Sequence, residues 1–280
     1  MKHILISGYN SYIGNHFFKK FKKKYKIINY KEDINNISKF KLFTKKKKFD
    51  FFIHFASLSR MQCDENKKLC KKTNFLSIKK IINHFNTLKF KPNFIFMSSS
   101  HVYKNSTYKI REGYKKKPEN FYGKLKLHSE NYLSKNYKKY CILRLFNVYG
   151  KNQPENFFIP DVNKKIKLQK IIRLNKSIRD FIHVNDVVNA IIKSLKNNKA
   201  RGKIFNIGSG KPIQIKKIIN LVKNLIKKGN PSYGAIKMRK DENIRLYPSI
   251  KNAKIHINWS PKISFNKGLK STISYYKNER

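Results

Sequence analysis

The chain has 280 residues, with 65 Lys+Arg against 15 Asp+Glu and a formal net charge of +50. That length suits one large α/β domain, or a domain with a smaller lobe, and allows a real core. The charge by itself suggests nucleic acid or an anionic membrane, but lysines are scattered through every segment and arginine, the usual reader of bases and phosphates, is rare. We therefore expect no specific nucleic-acid partner, only weak, salt-sensitive adhesion to polyanions. Lysine rises together with Asn, Ile, Phe and Tyr, as in an AT-rich coding sequence. Cys63, Cys70 and Cys141 are odd in number and lack metal-ligand spacing, so they read as reduced packing residues, with no metal site. No apolar run approaches a membrane span, and a strand begins by residue 3. The expectation is a soluble, cytoplasmic protein.

Residues 3–7, His-Ile-Leu-Ile-Ser, form a short apolar run that reads as a buried strand. It enters Gly8-Tyr9-Asn10-Ser11-Tyr12-Ile13-Gly14, and a helical pattern follows. Strand, glycine turn and helix form the context in which a glycine-rich loop can hold a pyrophosphate. Gly8 would make the tight turn, Gly14 would let helix and strand approach, and the helix N-terminus would offer free N–H groups. Ser11 stands where the middle glycine of that pattern belongs. Its Cβ narrows the approach, while its hydroxyl can donate to a phosphate. An ordinary βα turn explains the same residues.

A second strand is expected at Tyr25–Tyr30, ending in Tyr30-Lys31-Glu32-Asp33. An acid at this end would hold the ribose of NAD, whereas Lys31 would suit the phosphate of NADP, so cofactor choice stays open. Asp33 and Ile34 are placed beside the adenine. The run Asp50–Ala56, with Phe55 and Ala56 at its end, reads as a strand beneath a cofactor. A helix carrying Asn74 comes next, then the strand Phe94–Met97 running into Ser98-Ser99-Ser100-His101. Serines at the carboxyl end of a parallel strand lie where open α/β sheets bind ligands, although a serine triplet is often only a loop.

After Pro118, Phe121-Tyr122-Gly123-Lys124-Leu125-Lys126 opens a helix and sets Tyr122 and Lys126 one turn apart on one face. Bringing a free phenol near neutrality takes roughly 4 kcal/mol, and an ammonium held close in a partly dry cleft can supply much of that. Such a pair is a general base for a hydroxyl proton. In a chain so rich in Tyr and Lys the same residues also read as a solvated helix face.

The glycine turn, the Phe94–Ser100 strand end and Tyr122/Lys126 occur in an order that resembles the extended short-chain dehydrogenase/reductases, specifically the NAD-dependent epimerase/dehydratase family acting on nucleotide sugars. Arg144–Gly150, Arg179–Asp186, Phe205–Gly210 and Asn258-Trp259-Ser260-Pro261 resemble its later signatures. The resemblance implies a Rossmann-type doubly wound parallel sheet over residues 1–150, with returning segments near 180–207. It implies a smaller substrate lobe over 151–280. It makes Tyr122 the base, Lys126 its modulator and a holder of the nicotinamide ribose, and Ser99 the residue that hydrogen-bonds the reacting oxygen, with Ser98 and Ser100 as rivals. Gly8, Asn10, Ser11, Tyr12, Ile13, Gly14, Asp33, Ile34, Phe55, Ala56, Asn74, Tyr122 and Lys126 would bind NAD or NADP. Ser99, Ser100, His101, Asn147, Arg179 and Arg239 would bind the nucleotide sugar, with Arg245 as a competitor for the place of Arg239.

Dehydratases of this family carry an Asp-Glu pair where this chain has Ser100-His101, which argues against dehydration. His101 reads either as an acid/base for a neighbouring carbon or as a lining residue. The resemblance thus implies an epimerase of surface-polysaccharide synthesis working as a homodimer packed through helices near Asn74 and Tyr122. The alternatives are a 4-keto-sugar reductase consuming NADPH and a non-catalytic relative that binds RNA or another polyanion.

Overall fold

Four consecutive residues of the first strand, β1 (His3–Ser7), are fully enclosed, from Ile4 to Ser7, and they face in alternate directions. Ile4 and Ile6 enter one apolar cluster and Leu5 enters another, because a strand with helices on both sides buries both faces. The computed structural model describes residues 2–45, 47–174, 177–227, 233–235 and 245–278. The chain continues through α1 (Tyr12–Phe21), β2 (Lys26–Tyr30), α2 (Ile37–Lys45) and β3 (Phe51–His54). Two short helices, α3 (Arg60–Glu65) and α4 (Lys67–Lys71), lead through a π-helical turn at Lys72–Leu76 into α5 (Ser77–Thr87). Then come β4 (Asn93–Ser99), α6 (Phe121–Asn136) and β5 (Tyr140–Leu145).

These strands join β9 (Lys203–Ile207) in a parallel sheet of order β2-β1-β3-β4-β5-β9. Phe51, Ile53, Ile95, Met97, Cys141 and Leu143 point to the Ile4 face, while Phe52, Phe94, Phe96 and Ile142 point to the Leu5 face. The strand order reverses at β1, between β2 and β3, so the carboxyl ends of β1 and β3 open a crevice there. The fold is a Rossmann-type, doubly wound α/β arrangement.

A second group of elements follows β5. It comprises β6 (Asn147–Tyr149), α7 (Phe158–Lys167), β7 (Ile172–Leu174), β8 (Ile178–His183), α8 (Val184–Lys196), β10 (Pro212–Gln214) and α9 (Ile215–Ile226). After β11 (Tyr233–Ala235) come β12 (Arg245–Leu246), α10 (Lys251–Ile257) and α11 (Phe265–Asn278). β8 pairs with β6, β10 and β12, and α7, α9 and α11 gather their own cluster around Ile166, Ile219 and Leu269. α8 returns to pack on α1, with Val187 and Ile191 in the Ile4 cluster.

Cys63 and Cys70 form a disulfide, which corrects the expectation of three reduced thiols. On one continuous helix their spacing would be two turns, about 10 Å, too long to bridge. The chain breaks instead at Asn66, which caps α4, and the two Cα atoms come within 5.0 Å. Cys141 is the free thiol, and burial pushes it up to about 12.

Candidate active site

The turn after β1 is built for close approach. Gly8 has φ +68, a left-handed conformation that suits glycine, and its carbonyl accepts from the Ser11 N–H at 3.0 Å. A Cβ on Gly8 would lie 2.5 Å from Ala56 N, and one on Gly14 would lie 2.3 Å from Gly8 O. Ser11 is the N-cap of α1, its hydroxyl oxygen accepting from the Gly14 N–H at 3.3 Å. That leaves the hydroxyl proton and the remaining N–H groups of the first turn for an anion. The turn fits the pyrophosphate of a dinucleotide.

β4 sorts the serine triplet. Ser98 donates to Glu130 Oε1 at 2.5 Å, and Glu130 is locked to Arg144 by an ion pair of 2.6 Å, both side chains almost wholly buried. Ser98 is thereby part of the scaffold. Ser99 hydrogen-bonds Tyr122. Ser100 opens a short 3₁₀ turn that carries His101 into the cleft wall.

Tyr122 and Lys126 lie on the first turns of α6. Asn120 caps this helix by accepting from the Gly123 N–H at 2.8 Å. Gly123 sits on the His101 carbonyl, with only 2.3 Å left for a Cβ. The Lys126 ammonium nitrogen donates to the Met97 carbonyl at 2.9 Å and lies 5.6 Å from the Tyr122 ring centroid, over the ring. The electrostatics therefore differ from the expected phenol drawn toward neutrality. Burial pushes Tyr122 up to about 12, against the Ser99 hydrogen bond that lowers it. Burial also pushes Lys126 down to about 7, against the Glu130 carboxylate that raises it. Both groups are held toward their neutral forms because the pocket desolvates the two charges more than it pairs them.

These residues meet in one cleft of about 520 Å³. Ser11, Tyr12, Ile13 and Phe55 line one side, and Ser99, Ser100, His101, Tyr122, Lys126 and Asn147 line the other. Gly8, Gly14 and Ala56 shape the turn through their backbone contacts, and Asn10 is exposed. Other expected contacts fall away from the cleft. Asn74 is fully enclosed, its side-chain Oδ1 accepting from Ser57 Oγ and Leu58 N, so it braces the loop below the cleft instead of lining it. Ile34 is buried in the Leu5 cluster, and the Asp33 carboxylate is taken by Asn35. Arg179 is half-buried on β8 and donates to its neighbour's carbonyl. Asn147 lines the cleft while its amide donates to the Asp180 carbonyl at 2.7 Å. Arg239 lies outside the described residues. Two residues were not singled out from the sequence: Asn120 and Glu130. Asn120 had a legible signal, an Asn directly before a helical pattern. Glu130 continues the spacing Tyr122, Lys126, Glu130 along one helix face.

A Rossmann-type sheet with a glycine cradle at its switch point and a Ser/Tyr/Lys cleft beside it defines the class: an α/β protein of the extended short-chain dehydrogenase/reductase architecture. The sequence model of the NAD dependent epimerase/dehydratase family matches residues 4–208, and the chain belongs to that family. It is 30% identical over 199 residues to the dTDP-D-glucose 4,6-dehydratase of Homo sapiens, covering 66% of this chain and 56% of that protein. It is 33% identical over 136 residues to the CDP-abequose synthase of Salmonella muenchen, covering 47% and 46%. The chain thus spans about half the length of the curated relatives it matches. Among solved structures, Pal from Bacillus thuringiensis superposes with a TM-score of 0.91 at 20% identity, over 99% of this chain and 100% of that one. The UDP-glucuronic acid 4-epimerase of Bacillus cereus, solved with UDP-glucuronic acid and NAD, gives 0.88 at 22% identity over 99% and 100%. At these identities the likeness speaks for the fold. Among the described residues no helix is long and apolar enough to cross a membrane.

Proposed function

We propose that the protein is an NAD(P)-dependent nucleotide-sugar epimerase in which Ser99, Tyr122 and Lys126 do the proton chemistry. The observation that carries this reading is the meeting of Ser99, Tyr122 and Lys126, the last with its amine over the phenol ring, in the cleft that Ser11 and Tyr12 also line. Tyr122 takes the proton of a sugar hydroxyl, and Ser99 holds that oxygen in line. Before Tyr122 can do so, the phenol must lose its own proton, which Lys126 accepts to stand as ammonium over the ring; burial opposes this transfer, holding Tyr122 up at about 12 and Lys126 down at about 7, so it needs a further positive charge in the cleft. A bound nicotinamide would accept the hydride from the sugar carbon, and its positive charge would favour the phenolate. The N-terminus of α1 and Ser11 hold the pyrophosphate. Asn147, Arg179 and Arg239 are assigned to the nucleotide diphosphate of the substrate, the arginines because a guanidinium spans two phosphate oxygens. With Ser100-His101 in the cleft wall, the described residues that line it include no carboxylate to eliminate water. We further infer a cytoplasmic homodimer packed through α5 and α6, with a sugar-nucleotide or surface-polysaccharide role.

A 4-keto-sugar reductase consuming NADPH is the second reading, and the end of β2 favours it. Glu32 pairs with Lys39 at 3.3 Å and Asp33 is held by Asn35, while Lys31 is exposed beside them. Mass spectrometry of the purified protein separates the two. A tightly retained nicotinamide dinucleotide supports the epimerase, because an epimerase returns the hydride and keeps its cofactor. Protein that arrives empty and oxidises NADPH only with a keto-sugar supports the reductase. Protein that binds no nicotinamide but keeps RNA at physiological salt would overturn both.

A further inference from the structure

The Cys63–Cys70 bridge takes no part in the chemistry proposed above, yet it stands directly behind the cleft. Cys63 lies on α3, whose capping pair Ser59 and Gln62 exchange hydrogen bonds of 2.9 and 3.4 Å and both line the cleft. Asn74, in the middle of the π-helical turn, sets its amide between the bridge and that loop. Its Nδ2 lies 3.4 Å from Cys63 Sγ and 3.5 Å from Cys70 Sγ, and donates to the Leu58 carbonyl at 3.0 Å. Its Oδ1 accepts from the Leu58 N–H at 2.8 Å. Both cysteines also cluster with Leu125, which lies between Tyr122 and Lys126 on α6. The bridge therefore couples two walls of the cleft, the loop 57–62 and the first turns of α6. With six and five residues, α3 and α4 are too short to keep their shape without such a restraint. Both cysteines are fully enclosed, and two thiols need more room than a bonded pair, so reduction must displace one of these helices. Cys63 Sγ is also 3.9 Å from the Leu58 carbonyl oxygen, so a reduced thiol would bring a second donor to the group Asn74 holds.

Building on the enzyme reading above, we propose that Cys63 and Cys70 are a thiol–disulfide switch for dinucleotide binding. The bridge keeps residues 57–62 ordered on the cleft, and reduction loosens that wall. The co-reactant is a dithiol, which supplies two electrons and two protons. One of its thiolates attacks a bridge sulfur, its second thiol then closes on the first, and the products are two cysteine thiols and a cyclic disulfide. Exposed lysines at 67, 68, 71 and 72 flank Cys70 and attract a thiolate, which reaches sulfur when the short helices open locally. In a cytoplasmic protein, as inferred above, a disulfide of this kind is transient and reports the redox state.

The full chain is prepared oxidised with oxidised glutathione and reduced with dithiothreitol, and peptide mapping checks the bridge in the first form and its absence in the second. Hydrogen exchange is the first measurement. Amides of residues 57–62 and 121–126 should exchange about tenfold faster in the reduced form, while α9, which packs in a separate cluster, should not change. The double variant Cys63→Ala, Cys70→Ala should exchange like the reduced form and ignore dithiothreitol. Equal exchange in the two wild-type forms, or a bridge that does not form under oxidised glutathione, overturns the switch. Calorimetry with NAD and NADP is the second measurement. Reduction should weaken the dinucleotide that binds about tenfold, and reoxidation should restore it. Equal affinity in the two forms overturns the link to binding. Binding of neither dinucleotide by either form counts against the enzyme reading and the link with it, while the switch is decided by exchange alone.

Discussion

Tyr122 and Lys126 are two groups whose charges the protein suppresses. Removing the phenolic oxygen removes the proposed base without touching the cradle at Gly8. Tyr122→Phe should therefore lower turnover by about a thousandfold, with dinucleotide binding nearly intact by calorimetry; unchanged turnover would remove the assignment. Lys126 is buried and its amine is pushed down to about 7, so the fold carries a desolvation penalty there. Lys126→Met fills the same volume without that penalty. It should cut turnover at least about a hundredfold and leave the urea midpoint equal or higher, the pattern of a residue kept for chemistry at the expense of stability. A clear fall in the midpoint would show that the amine contributes mainly structure.

At the scale of elements, two devices hold the cleft open in the right shape. The first is the turn between β1 and α1. Gly8→Ala places a Cβ 2.5 Å from the Ala56 backbone in a left-handed conformation. We expect a loss of about 2 kcal/mol or more in unfolding free energy and a loss of dinucleotide binding, measured by urea denaturation and calorimetry. The second device ties α6 to β4 and β5 through Ser98, Glu130 and Arg144. Arg144 is the largest fully buried side chain among the described residues and also donates to Tyr103 and to the Glu112 carbonyl. Arg144→Met strands the Glu130 carboxylate in a dry interior and should lower stability by about 3–5 kcal/mol. If the urea midpoint stayed put, the ion pair would not be what fixes α6.

The whole molecule is governed by charge and by what it keeps uncharged. With a net charge of +50 the folded state repels itself, so added sodium chloride should raise the urea midpoint and release the protein from polyanion resins. His54 and His183 are buried, and burial lowers them from 6.5 to about 3 and about 4. Below pH 6.5 the unfolded chain takes up protons on these rings that the folded chain refuses, so stability falls as pH falls through that window. The urea midpoint should be lower at pH 5 than at pH 7.5, and His54→Gln should flatten the difference. An equal drop in the variant would place the acid sensitivity elsewhere.

The linear chain by itself determined the sheet, its two buried faces and the order of the motifs. Runs such as Ile4–Ile6 and Phe94–Met97 and the glycine spacing from Gly8 to Gly14 are local patterns, and local patterns survive in one dimension. It did not determine which serine of three meets Tyr122, because register becomes visible only when Glu130 and Arg144 claim Ser98. The Cys63–Cys70 bridge stayed hidden because it depends on a chain break at Asn66. Nor could spacing show that Lys126 lies over the phenol ring or that burial pushes its amine down, since desolvation is a property of everything packed around a group. Tertiary structure decided these points: they depend on which atoms exclude water from which others.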